Sequence, residues 1–330
     1  MSRSRTAILS SMGIVAATVA VSVGALVLSQ PPARLGSLPP KALAILADAR
    51  FAMGLNVSRF VASSFHQRFA HDPSTRPDAL RELEAKTGLN PERDVDQIYA
   101  AGGAPGDNRG VAWIQGRFDR KRIAQAIETD QKGVTSKKHL GNTVYVFSAE
   151  SKSPGALAFL DDQTILLGTE QAVEAVITRS LQGTPPQSSA LTDLLGRVKP
   201  GSTFWIVGDQ TVLSSLPRTV PGQGATAVTL PALKSLVVTG ELEPEVSLSI
   251  VGDAADPAAA KSVADVVRGL VGILSLQASQ KPEFARLVSA ITVATEANEV
   301  HVDARIPYEV IDALSAKPNA PRAPEPPARP

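Results

Sequence analysis

From Thr6 to Ser29 the chain carries no charged residue; alanine, valine, isoleucine and leucine run together, broken by small residues such as Ser10, Ser11, Gly13, Thr18, Ser22 and Gly24. About 24 residues of helix rise about 36 Å, enough to cross a hydrocarbon layer of roughly 30 Å with some tilt. A core helix of this length in a globular domain normally keeps a polar face, and this one has none. Arg3 and Arg5 precede the run, while Arg34 and Lys41 follow at a distance, so the charge bias places residues 1–5 in the cytoplasm and the body outside. The expectation is a single-pass signal-anchor at 6–29 in the inner membrane, with the C-terminal body in the periplasm or beyond. The alternative is secretion after signal cleavage before Gln30, although the apolar stretch of a cleaved signal is usually about 7 to 15 residues.

Composition narrows the rest. Of 330 residues, 43% are hydrophobic and 20% charged, the balance of a chain that buries a core. Lysine and arginine total 33 against 32 acidic residues, and with the basic residues scattered there is no field to attract nucleic acid. Aromatics are only 4%, so stacking platforms for sugars or bases are scarce. The absence of cysteine removes disulfides, thiolate nucleophiles, iron–sulfur clusters and lipoprotein acylation, and suits an oxidising cell envelope.

Residues 30–41, with Pro31, Pro32, Gly36, Pro39 and Pro40, read as a stiff non-helical spacer. Residues 317–330, rich in proline, alanine and arginine, read as a disordered tail. Between them one pattern recurs. Arg50–Asn56 and Thr203–Gly208 are strand-like, and each runs into a helix. Gln97–Ala101 and Gly110–Phe118 precede a helix at Arg120–Glu128 capped by Asp119; Leu236–Leu242 and Val246–Gly252 precede one capped by Asp256, with Pro257 in its first turn. Each set then closes on a hairpin and helix, through Asp161 and Asp162 in one and near Asn298 in the other. Val144–Phe147 reads as a half-buried strand. The expected fold is α+β: two tandem similar halves, 42–182 and 191–316, joined at 183–190, each an antiparallel sheet with helices on one face.

Leu38–Phe69, Lys86–Ile98 (Lys-Thr-Gly-Leu-Asn-Pro-Glu-Arg-Asp-Val-Asp-Gln-Ile) and Gly116–Ile123 (Gly-Arg-Phe-Asp-Arg-Lys-Arg-Ile) resemble a group of exported bacterial proteins with an N-terminal signal or anchor. The likeness spans most of the body and is most specific at Thr-Gly-Leu-Asn-Pro-Glu-Arg-Asp. It implies export and this architecture; no activity is assigned to that group.

No catalytic, cofactor-binding or metal-ligating set emerges from the remaining motifs. Gly222-Gln-Gly224-Ala-Thr-Ala227 matches a dinucleotide fingerprint, but Pro217, Pro221 and Pro231 surround it, where the fingerprint needs a strand feeding a helix. His66 and His71, near Asp72, are five apart, whereas helical ligands sit three or four apart; a solvated helix end is expected there. His139 falls in a basic loop and His301 in a strand, without visible partners. Glu92, Arg93, Asp94 and Asp96 crowd a helix start at Asn90-Pro91, which the helix dipole favours on structural grounds alone. Asp161 and Asp162 read as turn residues, and Asn56-Val-Ser58 matches a glycosylation acceptor, which matters little if the host is a bacterium. The expected function is non-enzymatic binding or scaffolding in the cell envelope, with an envelope protein or lipid as partner. The alternatives are a carrier of a lipid or other apolar ligand along Val266–Leu276, which also reads as plain core, and a hydrolase with dispersed residues.

Overall fold

The computed structural model describes residues 38–315, except 71–77, 105, 108, 130–132, 148–153, 184–189, 216–218, 222–226, 230 and 279–281. The apolar run 6–29 and the tail 317–330 therefore lie outside the described residues, as do His71 and Asp72. No helix among the described residues is long and apolar enough to cross a membrane.

The chain is α+β, built on one antiparallel sheet of twelve strands. Its members are β1 (Phe51–Asn56), β2 (Val95–Gly102), β3 (Val111–Gly116), β4 (Val134–His139), β5 (Asn142–Phe147), β6 (Gly155–Asp161), β7 (Thr164–Thr169), β8 (Phe204–Asp209), β11 (Leu233–Glu241), β12 (Val246–Ala254), β13 (Ile291–Glu296) and β14 (Glu299–Ile306). A separate ribbon pairs β9 (Thr219–Pro221) with β10 (Ala227–Thr229). The sheet order is β13-β14-β12-β11-β8-β1-β2-β3-β7-β6-β5-β4. At its centre β1 and β8 pair antiparallel, Ala52 opposite Val207 and Gly54 opposite Trp205. Counted outward from that junction, strands follow the order β1, β2, β3, β7, β6 on one side and β8, β11, β12, β14, β13 on the other.

The sheet is framed by a 3-10 helix, η1 (Pro40–Leu46), and by the α-helices α1 (Val57–Val61), α2 (Asp78–Thr87), α3 (Pro91–Asp94), α4 (Arg120–Thr129), α5 (Glu170–Gln182), α6 (Ala190–Gly196), α7 (Gln210–Ser215), α8 (Pro257–Ala278), α9 (Pro282–Ser289) and α10 (Tyr308–Ser315). Local chemistry sets several of their ends. Asn56 and Asn90 accept hydrogen bonds from Arg59 N–H and Glu92 N–H, Asp119 from Arg122 N–H, and Asp256 from Ala259 N–H, each relieving an orphan amide of a first turn. Gly183 ends α5 in the left-handed region at φ 63°.

The expected one-sided layer is not what forms, because helices cover both faces. On one face Ala42, Ile45 and Leu46 of η1, Val173, Val176 and Ile177 of α5, and Leu191 and Leu194 of α6 bury Ala52, Trp113, Leu166, Trp205 and Val237. On the other, Ile123 and Ile127 of α4 cover Tyr145, Leu157, Phe159 and Ile165, while Ala260, Val263 and Ala264 of α8 cover Val300 and Val302. The reason is visible in the strands: Val144, Tyr145 and Val146 are buried in succession, as are Ala156 to Phe159. A strand apolar on both sides needs two covers, so the half-buried expectation for Val144–Phe147 is corrected.

Two other expectations change. The stiff spacer ends earlier than residue 41, since Leu38 is 4% exposed and η1 begins at Pro40; proline is well suited to a first helical turn. His139 ends strand β4, where the sequence pattern suggests a basic loop. The exposed, lysine-bearing pattern resembles a loop because β4 is an edge strand. Around the glycine motif, Thr219–Pro221 and Ala227–Thr229 form the β9–β10 ribbon, while residues 222–226 lie outside the described residues.

Candidate functional site

Two segments far apart in sequence, 87–94 and 117–123, fold against each other and enclose an open cleft of about 260 Å3, lined by Thr87, Gly88, Leu89, Arg93, Asp94, Arg117, Asp119, Arg122 and Ile123. Its back wall is made by local bonds. Thr87 Oγ1 donates to Leu83 O at 2.6 Å and accepts from Leu89 N–H at 3.1 Å, closing α2. Gly88 then turns the chain at φ 72°, a conformation nearly free for glycine and costly for residues with a Cβ. Asn90 and Pro91 start α3 at once. Gly116, at the end of β3, lies against the Asp94 carbonyl so closely that a Cβ would overlap it, and Arg117 N–H donates to that carbonyl at 2.7 Å. Thus the strand end is docked on α3 through backbone.

The charges are disposed unequally. Arg93 donates from Nε to Asp94 Oδ1 at 2.8 Å and from Nη2 to Oδ2 at 2.7 Å, a bidentate pair, and Nη2 also reaches Gly88 O at 3.1 Å. Asp94 Oδ2 further accepts from Asn90 N–H at 2.8 Å. The Arg93 hydrogen bonds hold the Asp94 carboxyl below its ordinary value of 3.8, against the opposing pull of burial. Reciprocally, the Asp94 hydrogen bond raises the Arg93 pKa. Arg117 donates to Arg93 O at 2.6 Å and lies 3.7 Å from Asp96, which also accepts from Ser58 Oγ at 3.1 Å. Asp119 is occupied as the cap of α4, at 3.0 Å from Arg122 N. The Arg122 guanidinium lies against Gly88, where an added Cβ would stand 2.6 Å from Nη1 and 2.8 Å from Cζ. Among the described residues that guanidinium has no hydrogen bond or ion pair.

The residues singled out from sequence fall differently. Glu92, Arg93, Asp94 and Asp96 lie at or beside α3 with the bonding of a helix cap. Arg117 and Arg122 carry no mark of a site in the sequence; the only signal for them is that they fall within the segment 116–123, which faces the segment 86–98 in the fold. His66 is not solvated: it is 3% exposed, edge-on to Phe60 at 4.6 Å between ring centres, with Nε2 3.7 Å from Glu92 Oε1. His139 reaches Thr178 Oγ1 at 2.9 Å, and His301 lies 3.0 Å from Glu299. Asn56 is 5% exposed and serves as a cap, so it offers no glycosylation acceptor. Asp161 accepts from Gln163 N–H across the β6–β7 turn. No group of three or more His, Cys, Asp or Glu side chains able to hold a metal occurs among the described residues.

The arrangement defines an α+β body with a guanidinium-lined cleft. A scan of protein-family models and searches of curated proteins and of solved structures return no match to this chain.

Proposed function

We propose that this protein is anchored in the inner membrane through residues 6–29, with its body outside the cytoplasm, and serves there in binding or scaffolding rather than in catalysis. The observation that carries the reading is the state of the cleft. Asp94 is engaged by Arg93 and by Asn90 N–H, and Asp119 caps a helix. A carboxylate held ionised and bonded is a poor proton shuttle, whereas fixed guanidinium groups beside backbone suit recognition of a ligand.

In this reading the body is a duplication: unit 42–182 and unit 191–316 join through β1 and β8 in one continuous sheet. Three features support it. The strand orders on the two sides of the junction match. Phe51 lies over Gly102 as Phe204 does over Gly240. Asn56 and Asp209, ending β1 and β8, cap the following helices with the same side-chain bond, to the amide three residues on.

One observation favours the lipid-carrier alternative. Beyond Ala264 none of the described residues of α8 is fully buried, and Leu270, Val271, Ile273 and Leu274 stay half-exposed. The test is a topology reporter fused after Pro318, combined with native mass spectrometry and in-cell cross-linking of the full chain. An active reporter, a lipid-free mass and a reproducible cross-linked protein are expected. A silent but expressed reporter would overturn the location, and a stoichiometric lipid would replace scaffolding with carriage.

A further inference from the structure

We propose that Arg122 is the ligand-binding residue of the cleft and that the group it takes is an oxyanion, a carboxylate or a phosphate, carried by the bound molecule. This assignment rests on the cleft being a recognition site and names the chemistry it recognises.

Three guanidinium groups line the cleft against two carboxylates. Simple counting would leave a small positive excess; the bonding sharpens it onto one group. Arg93 commits its fork to Asp94. Arg117 is drawn to the Arg93 carbonyl and to Asp96. Both cleft carboxylates are turned to their own backbone and to Arg93, so neither faces Arg122 as a counter-ion. Elsewhere on this body Arg50 pairs with Asp209, Arg179 with Asp48, and Arg197 with Asp253 and Glu299; within the cleft, Arg122 is the guanidinium that has no such partner among the described residues.

Gly88 leaves it room: that residue has no side chain and a left-handed backbone, so the exposed guanidinium lies over the main chain, in space that a Cβ would take. A planar fork of donors suits an oxyanion's paired oxygens. A charge uncompensated among the described residues, its place over the Gly88 backbone and a concave surround of about 260 Å3 together fit a group of the size of a carboxylate or phosphate, with the remainder of its carrier extending into solvent.

The test is a titration of the full-length chain in detergent with inorganic phosphate and, separately, with succinate, each at ionic strength held constant with sodium chloride. Saturable binding of one or both is expected. Arg122→Gln should weaken it about tenfold or more, the loss of a charge-assisted fork, and Arg122→Lys should recover part of it. Which probe binds distinguishes a phosphate-bearing from a carboxylate-bearing source. Because the Arg122 guanidinium makes no bond within the described residues, these variants should keep the parent melting temperature, and that temperature confirms they are folded. Absence of binding by the folded parent, or equal binding by parent and Arg122→Gln, overturns the assignment. Such a failure is separable from failure of the location or scaffold reading, which the reporter and the cross-linking address without reference to this cleft.

Discussion

Asp94 is a residue whose ionisation the fold exploits. In the folded chain its carboxyl is held below 3.8 by Arg93; in the unfolded chain it returns to the ordinary value, so the folded state binds fewer protons near that pH. Its contribution to stability is therefore complete above about 3.8 and is lost as the pH falls through the folded value. Urea unfolding midpoints measured from about pH 5 down to about pH 2 should fall less steeply in Asp94→Asn than in the parent. At neutral pH that variant should be destabilised by about 1 kcal/mol or more. Gly88 supports a second prediction at this scale. Gly88→Ala forces a Cβ into φ 72° and under the Arg122 guanidinium, and a loss of about 1 to 2 kcal/mol is expected in denaturant titrations. Helix capping in the same segment was legible from Asn90-Pro91; the burial of His66 was not, because the Phe60 ring that covers it arrives through a turn that no short-range pattern announces.

Among the elements, β4 shows how an edge is protected. Its residues Val134 to His139 are mostly exposed and pair only with β5, and a free edge of this kind invites association unless charged. Lys137 reaches back to Glu170 and, at 2.7 Å, to Glu174 of α5, with His139 joining Glu174 at 3.6 Å. The Lys137 ammonium is held above its ordinary pKa chiefly by the Glu170 hydrogen bond. Since the pairs are partly solvated, Lys137→Ala should cost less than about 1 kcal/mol globally. Its effect should be local, with faster amide hydrogen exchange confined to β4 and β5 and a nearly unchanged melting temperature; a global loss of protection would show that the clamp holds more than an edge. The helix α8 is the opposite case, well predicted in its start and mistaken in its burial. Asp256 and Pro257 mark its first turn, yet the apolar run after Ala264 is only half-buried. Apolar periodicity says which residues would prefer cover and cannot say how far the sheet extends beneath them.

Across the whole molecule a single core crosses the junction. Leu191, Leu194, Val198, Trp205 and Val207 share one cluster with Ala52, Trp113 and Leu166, and Trp205 lies directly on Gly54 of the neighbouring strand, where no Cβ would fit. The strands on both sides of the β1–β8 junction should therefore unfold together, with one calorimetric transition whose van't Hoff and calorimetric enthalpies agree. A fragment ending at residue 182 should aggregate or fail to fold, since it would bare the β1 edge and the face that Trp205 covers; two well-separated transitions, or a stable monomeric fragment, would contradict this. Most strands and helices were legible because each strand, cap and turn is written in a few adjacent residues. By itself the sequence determined the expectation of an export-type apolar segment, the α+β class, most strand and helix positions, and the exclusion of cysteine chemistry, all properties of composition and short-range periodicity. Only the tertiary structure decided that β1 and β8 fuse the sheet, that helices cover both faces, and that 87–94 meets 117–123 around Arg122. Those outcomes depend on contacts between residues tens to more than a hundred positions apart, whose partners are selected by packing and which no local pattern encodes.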